Sequence, residues 1–330
     1  RGTLFFDSML AAFLSEEDIR FIRSNGATCI RVALNYRHFE DDEAPFTYKE
    51  KGFAMLQELV SRCEAHDLYV IFDMHAVQGW QNTHWHSDND RGISLFWRDT
   101  CYQNRYYALM QEIARRFKDC PAVAGYELFN EPSSNCRSGD YPFNMYENFT
   151  SDYTRFNRIV RTAVSKIREI DRKHIIFIEG DSYGHNFAGM EEPFDDNLVY
   201  ASHDYIVSSF GPGAYPGTYE MLHNDRIEEG CYWDYNKQLD HIRETEGFQF
   251  SEKYQVPLWV SEFGSQYCTG EEDNAYRLAS MDDQLRAMNE LGLHWTTWTY
   301  KDCGTMGWVT VKPDSEYLRQ VAGVQRQKGL

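Results

Sequence analysis

Two short stretches put a carboxylate where an apolar run stops. "GYELFNEPSS", residues 125–134, breaks off in Asn130, Glu131 and Pro132, and "LWVSEFGS", residues 258–265, carries Glu262 near its end. Alone, either acid is an ordinary polar residue at the end of a strand. Brought face to face, two glutamates can divide a double displacement at a sugar. One attacks the anomeric carbon, and the other gives a proton to the leaving oxygen and later takes one from water. The acid must hold its proton near neutral pH, so its surroundings must raise its pKa, while the nucleophile must stay ionised. This chemistry does not say which glutamate takes which role.

Positioning such a pair requires strands that end at one face. Apolar, β-branched or aromatic runs recur at 29–35, 69–75, 123–130, 175–180, 199–205, 258–264 and 294–300. Their continuity suits parallel strands buried on both sides. Helical patterns separate them at 15–26, 48–67, 99–118, 146–170, 234–253 and 272–291, with one more at 314–325. Ser15 reads as an N-cap, and Gly26 ends that helix. Alternation of strand and helix predicts an α/β fold, a (β/α)8 TIM barrel, in a single domain spanning 1–330. Seven strands are readable. "TLFFDSMLAAFL" (3–14) reads better as helix than strand, which places strand 1 upstream of Arg1 or leaves it absent. All strands of such a barrel end at one mouth, where catalysis occurs.

Composition narrows the partners. The 330 residues are 42% hydrophobic, enough for a large core, and carry a formal net charge of −18. That charge argues against nucleic acid and against an anionic membrane surface. The 22 Tyr and 8 Trp suit stacking on sugar faces as well as core packing. The eight Cys form no C-x-x-C pair, which favours reduced thiols and a cytoplasmic protein. Asn148-Phe149-Thr150 matches a glycosylation sequon. No apolar run is long enough to cross a membrane as a helix. No cofactor or metal is implied.

Further polar residues fall at the strand ends. Arg31 lies inside "CIRVALN", where a charge needs a carboxylate partner. His75 ends "YVIFDMH", His203 and Tyr205 end "VYASHDY", and Trp298 lies in "HWTTWTY".

This ordered set, Arg31, His75, Asn130-Glu131-Pro132, His203-x-Tyr205, Glu262-Phe263-Gly264 and Trp298, resembles glycoside hydrolase family 5, a family of retaining (β/α)8 glycosidases. The resemblance implies that Glu131 is the acid/base and Glu262 the nucleophile. It implies that Asn130 holds the sugar 2-OH, and that Arg31 and Tyr205 orient the nucleophile and keep it ionised. His75 and His203 would line the subsite of the cleaved sugar, and Trp298 would be its floor. The family's first strand has no counterpart in the sequence.

Loops carry specificity. Three are long: 76–98, 132–146 and 206–233. The first holds Trp80, Trp85 and His86, candidate sugar contacts. Long loops can wall off a cleft. With "NYRHFEDD" (35–42) and "TYKDCGTMG" (299–307), this loop resembles an exo-acting branch of the family. The expectation is therefore an exo-acting β-mannosidase or β-glucosidase on short manno- or gluco-configured oligosaccharides. The alternatives are an endo-β-1,4-glucanase or mannanase with an open cleft, a metal hydrolase using His84 and His86 with Asp73 and His75, and a non-catalytic carbohydrate-binding barrel.

Overall fold

The computed structural model describes residues 13–135, 150–223, 226–267, 270–302 and 304–310. Seven strands form one parallel sheet: β1 Cys29–Asn35, β2 Tyr69–Ala76, β3 Val123–Glu127, β4 Ile175–Glu179, β5 Leu198–His203, β6 Leu258–Glu262 and β7 His294–Trp295. They neighbour one another in chain order. The described residues thus build seven strands of a (β/α)8 barrel. The expected first strand and the helix at 314–325 fall outside the described residues.

α1 Glu16–Ser24 precedes β1, and between the strands run α2 Glu50–Ala65, α3 Thr100–Phe117, α4 Tyr153–Arg168, α5 Tyr235–Glu244, α6 Glu246–Tyr254 and α7 Glu271–Glu290. Each forms for readable reasons. Ser15 caps α1 in a reciprocal box with Asp18, and three acids in the first turn complement the helix dipole. α2 buries Phe53, Leu56, Val60 and Cys63, a single stripe at helical spacing. The run expected as one helix over 234–253 is two. Thr245 takes extended angles (φ −64°, ψ 143°) and its hydroxyl accepts the N–H of Phe248, so it ends α5 and caps α6. The run expected over 294–300 pairs as strand only at His294–Trp295.

The period of two along each strand decides what faces inward. Val70, Phe72 and Met74 point outward to the helices, and Phe72 meets Phe117 edge-on at 4.8 Å. Ile71, Phe177, Ala201 and Trp259 point inward and form a small apolar layer of their own. Stepping up two residues from the first three of these gives Asp73, Glu179 and His203, and from Trp259 gives Ser261. The barrel plug is therefore apolar below and ionisable above.

The sheet curls. Arg31 of β1 touches Glu262 of β6, and His75 of β2 stacks on Trp298 beyond β7. Outside the sheet, Asp18 of α1 accepts from Tyr300 Oη at 2.8 Å and from Lys301 Nζ at 2.7 Å. Both edges of the described sheet are tied together by these contacts.

Candidate active site

At the C-terminal rim, one guanidinium organises three carboxylates. Arg31 Nε donates to Glu127 Oε2 at 2.6 Å, Nη1 to Glu262 Oε1 at 2.6 Å, and Nη2 to Asn130 Oδ1 at 2.8 Å. Nη2 also lies 3.2 Å from Asp73 Oδ2. Burial disfavours the charge, but Asp73, Glu127 and Glu262 raise the Arg31 pKa further. Glu127 is pushed up to about 7, because burial outweighs the pull of Arg31.

Glu262 ends β6, directly paired with His203 across a shift in register. Its two oxygens have separate donors: Arg31 on Oε1 and Tyr205 Oη on Oε2 at 2.9 Å. Burial and the adjacent Glu262 keep the Tyr205 phenol protonated by raising its pKa.

Glu131 sits on a left-handed turn just past β3, at φ +46°. A non-glycine residue there carries strain of about 1–3 kcal/mol. Its neighbours hold it in place. Its N–H donates to Glu179 Oε2 at 2.9 Å, and its carbonyl accepts from Asn82 Nδ2 at 2.8 Å. Gln81 braces the same turn, donating to the carbonyl of Asn130 and accepting from the N–H of Ser133. Both braces come from the 76–98 loop, and both are fully buried.

The Glu131 carboxylate lies between two histidines. His203 Nδ1 is 3.0 Å from Oε1, and His86 Nδ1 is 2.6 Å from Oε2. Burial favours the neutral acid, but these two hydrogen bonds outweigh it and hold the carboxyl well below its usual range. This is the opposite of the raised acid expected from sequence, and the reason is the histidine pair. Burial would lower His203, yet Glu179, Glu262 and Glu131 push it up to about 10. A protonated imidazole thus lies against the Glu131 carboxylate.

An oxygen of Glu131, a nitrogen of His203 and an oxygen of Glu262 all lie within 4.8 Å of one another. Among the described residues this is the one group of three with the reach to hold an ion, but Arg31 already supplies positive charge to it. The His84, His86, Asp73, His75 alternative does not converge. His75 Nδ1 bonds Asp73 Oδ2 at 2.6 Å beneath Arg31, while His84 faces His86 at 3.0 Å in the loop.

Of the remaining residues read from sequence, His75, Trp298 and Asn130 reach the same rim. His75 stacks on Trp298 with ring centroids 5.4 Å apart and planes at 13°. Gly264 permits this arrangement, since a Cβ there would lie 2.2 Å from the Trp298 carbonyl oxygen. Asn130 is buried beside Arg31, with Nδ2 3.3 Å from His75 Nε2. Trp85 is 83% exposed at the loop tip, next to His86. Trp80 is 7% exposed, and its N–H is given to the carbonyl of Asp88, so its indole is packed inside the loop. Sequence reading missed Glu127 and Glu179. The signal was present: each is an acid within an apolar strand, as Arg31 is a base within one.

Comparison with known proteins follows this geometry. A family model described as Cellulase (glycosyl hydrolase family 5) matches residues 8–304. A "Beta-xylosidase" of Phanerodontia chrysosporium is 31% identical over 327 residues, covering 96% of this chain and 63% of that protein. The chain therefore spans less than two thirds of that relative. "Endoglucanase C" of Acetivibrio thermocellus is 24% identical over 314 residues, covering 88% and 84%. The solved endoglucanase Cel5A from Thermotoga maritima superposes with a TM-score of 0.64 at 19% identity, covering 93% of this chain and 86% of that one, a likeness of fold. The family match takes in both glutamates and every strand of the sheet, and the chain belongs to glycosyl hydrolase family 5.

Proposed function

We propose that this chain is a single catalytic unit, a retaining β-glycosidase acting from the chain end on short β-linked oligosaccharides. The observation that carries the reading is the approach of Glu131 and Glu262, with carboxylate oxygens within 4.8 Å. Retaining sites hold their carboxyl groups about 5–5.5 Å apart, whereas inverting sites leave room for a water at about 6.5–9.5 Å. Glu262 is the nucleophile. Arg31 and Tyr205 donate to its two oxygens and aim it at the anomeric carbon. Glu131 is the acid/base, a role supported by its place at the rim between His203 and His86, opposite Glu262. Asn130 faces the 2-OH, His75 and His203 line the subsite, and Trp298 is its floor. His86 adjoins the acid and Trp85 adjoins His86, which assigns both to the leaving-group side.

The 76–98 loop, with Gln81 and Asn82 buried beneath Glu131 and His86 against its carboxylate, supports a short pocket over an open groove. The name of the beta-xylosidase relative widens the sugar from manno- or gluco- to include xylo-configured substrates. The test is a panel of aryl β-xyloside, β-glucoside and β-mannoside with carboxymethylcellulose and mannan. Hydrolysis of an aryl glycoside with a β-configured first product by NMR is expected. An α-configured product overturns the double displacement, and preferred cleavage of the polymers overturns the pocket.

A further inference from the structure

Behind Glu131 lies a carboxyl group that the double displacement does not use. Glu179 ends β4 and is fully buried. Its Oε2 accepts the N–H of Glu131, while its Oε1 lies 3.5 Å from His203 Nε2. Among the described residues, neither Oε1 nor Nε2 has another hydrogen-bond partner. His203 Nδ1 faces Glu131 Oε1 at 3.0 Å. Glu179, His203 and Glu131 thus stand in a row. Gly184, at φ +80°, keeps the row open: a Cβ there would lie 2.8 Å from both Glu179 Oε1 and the backbone nitrogen of His203.

Counting hydrogens along this row restricts its states. Oε2 is already an acceptor, so a proton on Glu179 sits on Oε1. Oε1 and Nε2 then have room for one proton between them. Either a carboxylic acid faces a bare Nε2, or an Nε2–H faces a carboxylate. Nδ1 carries a hydrogen in the first state by necessity and in the second when the ring is an imidazolium, and that hydrogen points at Glu131 Oε1. The acid proton of Glu131 is therefore confined to Oε2, the oxygen beside His86. Other charges look into the row: Glu262 Oε1 lies 3.8 Å from His203 Nε2, and Glu127, Arg31 and His185 act from further off.

We propose that Glu179 and His203 share one proton and pass it along the row as Glu131 works. When Glu131 protonates the leaving oxygen, the O–H of Glu179 breaks and an N–H forms at His203 Nε2, placing an imidazolium against the new carboxylate. When Glu131 takes a proton from water in the second half-reaction, the shared proton returns to Glu179. Burial, which raises the proton affinity of Glu179, favours that oxygen while Glu131 holds its own proton; once Glu131 is ionised, the proton lies on His203 Nε2. A 3.5 Å separation at rest is ordinary for a catalytic contact that tightens during the reaction. Glu179 is a positioning residue acting through His203, and the inference rests on Glu131 being the acid/base.

The test is Glu179→Gln. The amide keeps an acceptor for the Glu131 N–H and a donor towards Nε2, but it has no proton to pass. On a phenyl β-glycoside, which needs acid help, kcat/KM should fall about 10–100-fold. On the 2,4-dinitrophenyl glycoside, whose leaving group needs none, it should change less than about 3-fold. Equal losses on both substrates, or no loss on either, overturn the proposal. The imidazole 15N spectrum of the unsubstituted protein reads the same proton without activity or a variant. It should show His203 Nδ1 protonated from pH 5 to 8, and a bare Nδ1 overturns the shared proton. Failure of the unsubstituted enzyme on every glycoside would sink the glycosidase reading instead, leaving the spectrum to judge the row.

Discussion

Arg31 and Glu262 stand on the first and sixth strands of the described sheet, and their side chains meet at 2.6 Å. The same guanidinium reaches Glu127 and Asp73, so one cation balances three buried acids. Removing it by Arg31→Ala should cost about 3–5 kcal/mol, the usual penalty for stranding buried charge. Urea unfolding measures this. The loss should shrink in acid, where protonated carboxyls need no cation, and a loss independent of pH would contradict the charge balance.

Glu262→Gln should lower turnover by on the order of 10⁴ on every substrate, because no covalent intermediate can form. Glu131→Gln should lower it by about 10²–10⁴ on unactivated glycosides and far less on dinitrophenyl ones. Added azide should restore activity in each with opposite anomers: a β-azide for the Glu131 variant and an α-azide for the Glu262 variant. The reverse pattern would exchange the two roles.

Stability should fall as pH rises from about 6.5 towards about 10. His203 holds its proton more tightly folded than unfolded, so its contribution is complete below its ordinary value of 6.5 and is lost through about 10. Glu131 works in the other direction, since its depressed folded pKa adds stability that is lost in acid. Denaturant midpoints at pH 6, 8 and 10 check the first statement. His203→Asn should flatten the alkaline slope, and an unchanged slope would remove His203 from the account.

Trp85→Ala should leave folding within about 0.5 kcal/mol, because the side chain is almost wholly exposed. It should raise KM for an oligosaccharide by about 5-fold, equivalent to ~1 kcal/mol of lost aromatic contact. KM for a small methyl glycoside should not change. An equal effect on both would move Trp85 away from the leaving-group side.

Much of this arrangement was legible because a parallel strand reports its own direction. An apolar run ending in Glu131 or Glu262 locates that residue at the rim without any knowledge of the loops. Arg31 was legible for a different reason, as a charge that an apolar strand must explain. Glu127 and Glu179 obey the same logic but sit beside louder signals, NEP in one case and a glycine turn in the other. The direction of the Glu131 shift was not legible. It depends on His86, which arrives on a loop whose path no periodicity records. The break at Thr245 was hidden because the apolar pattern continues through it while one residue's backbone angles do not.

The loop contact between His86 and Glu131 joins two traits that are commonly treated as separate. The segment proposed to wall the pocket also holds one of the two histidine hydrogen bonds that lower the proton affinity of Glu131. If the proposed roles hold, a change in that wall that displaces His86 should also shift the pH at which the enzyme works best. Family members that differ in this loop should therefore diverge in pH optimum along with substrate range, even where every residue on the barrel strands is the same.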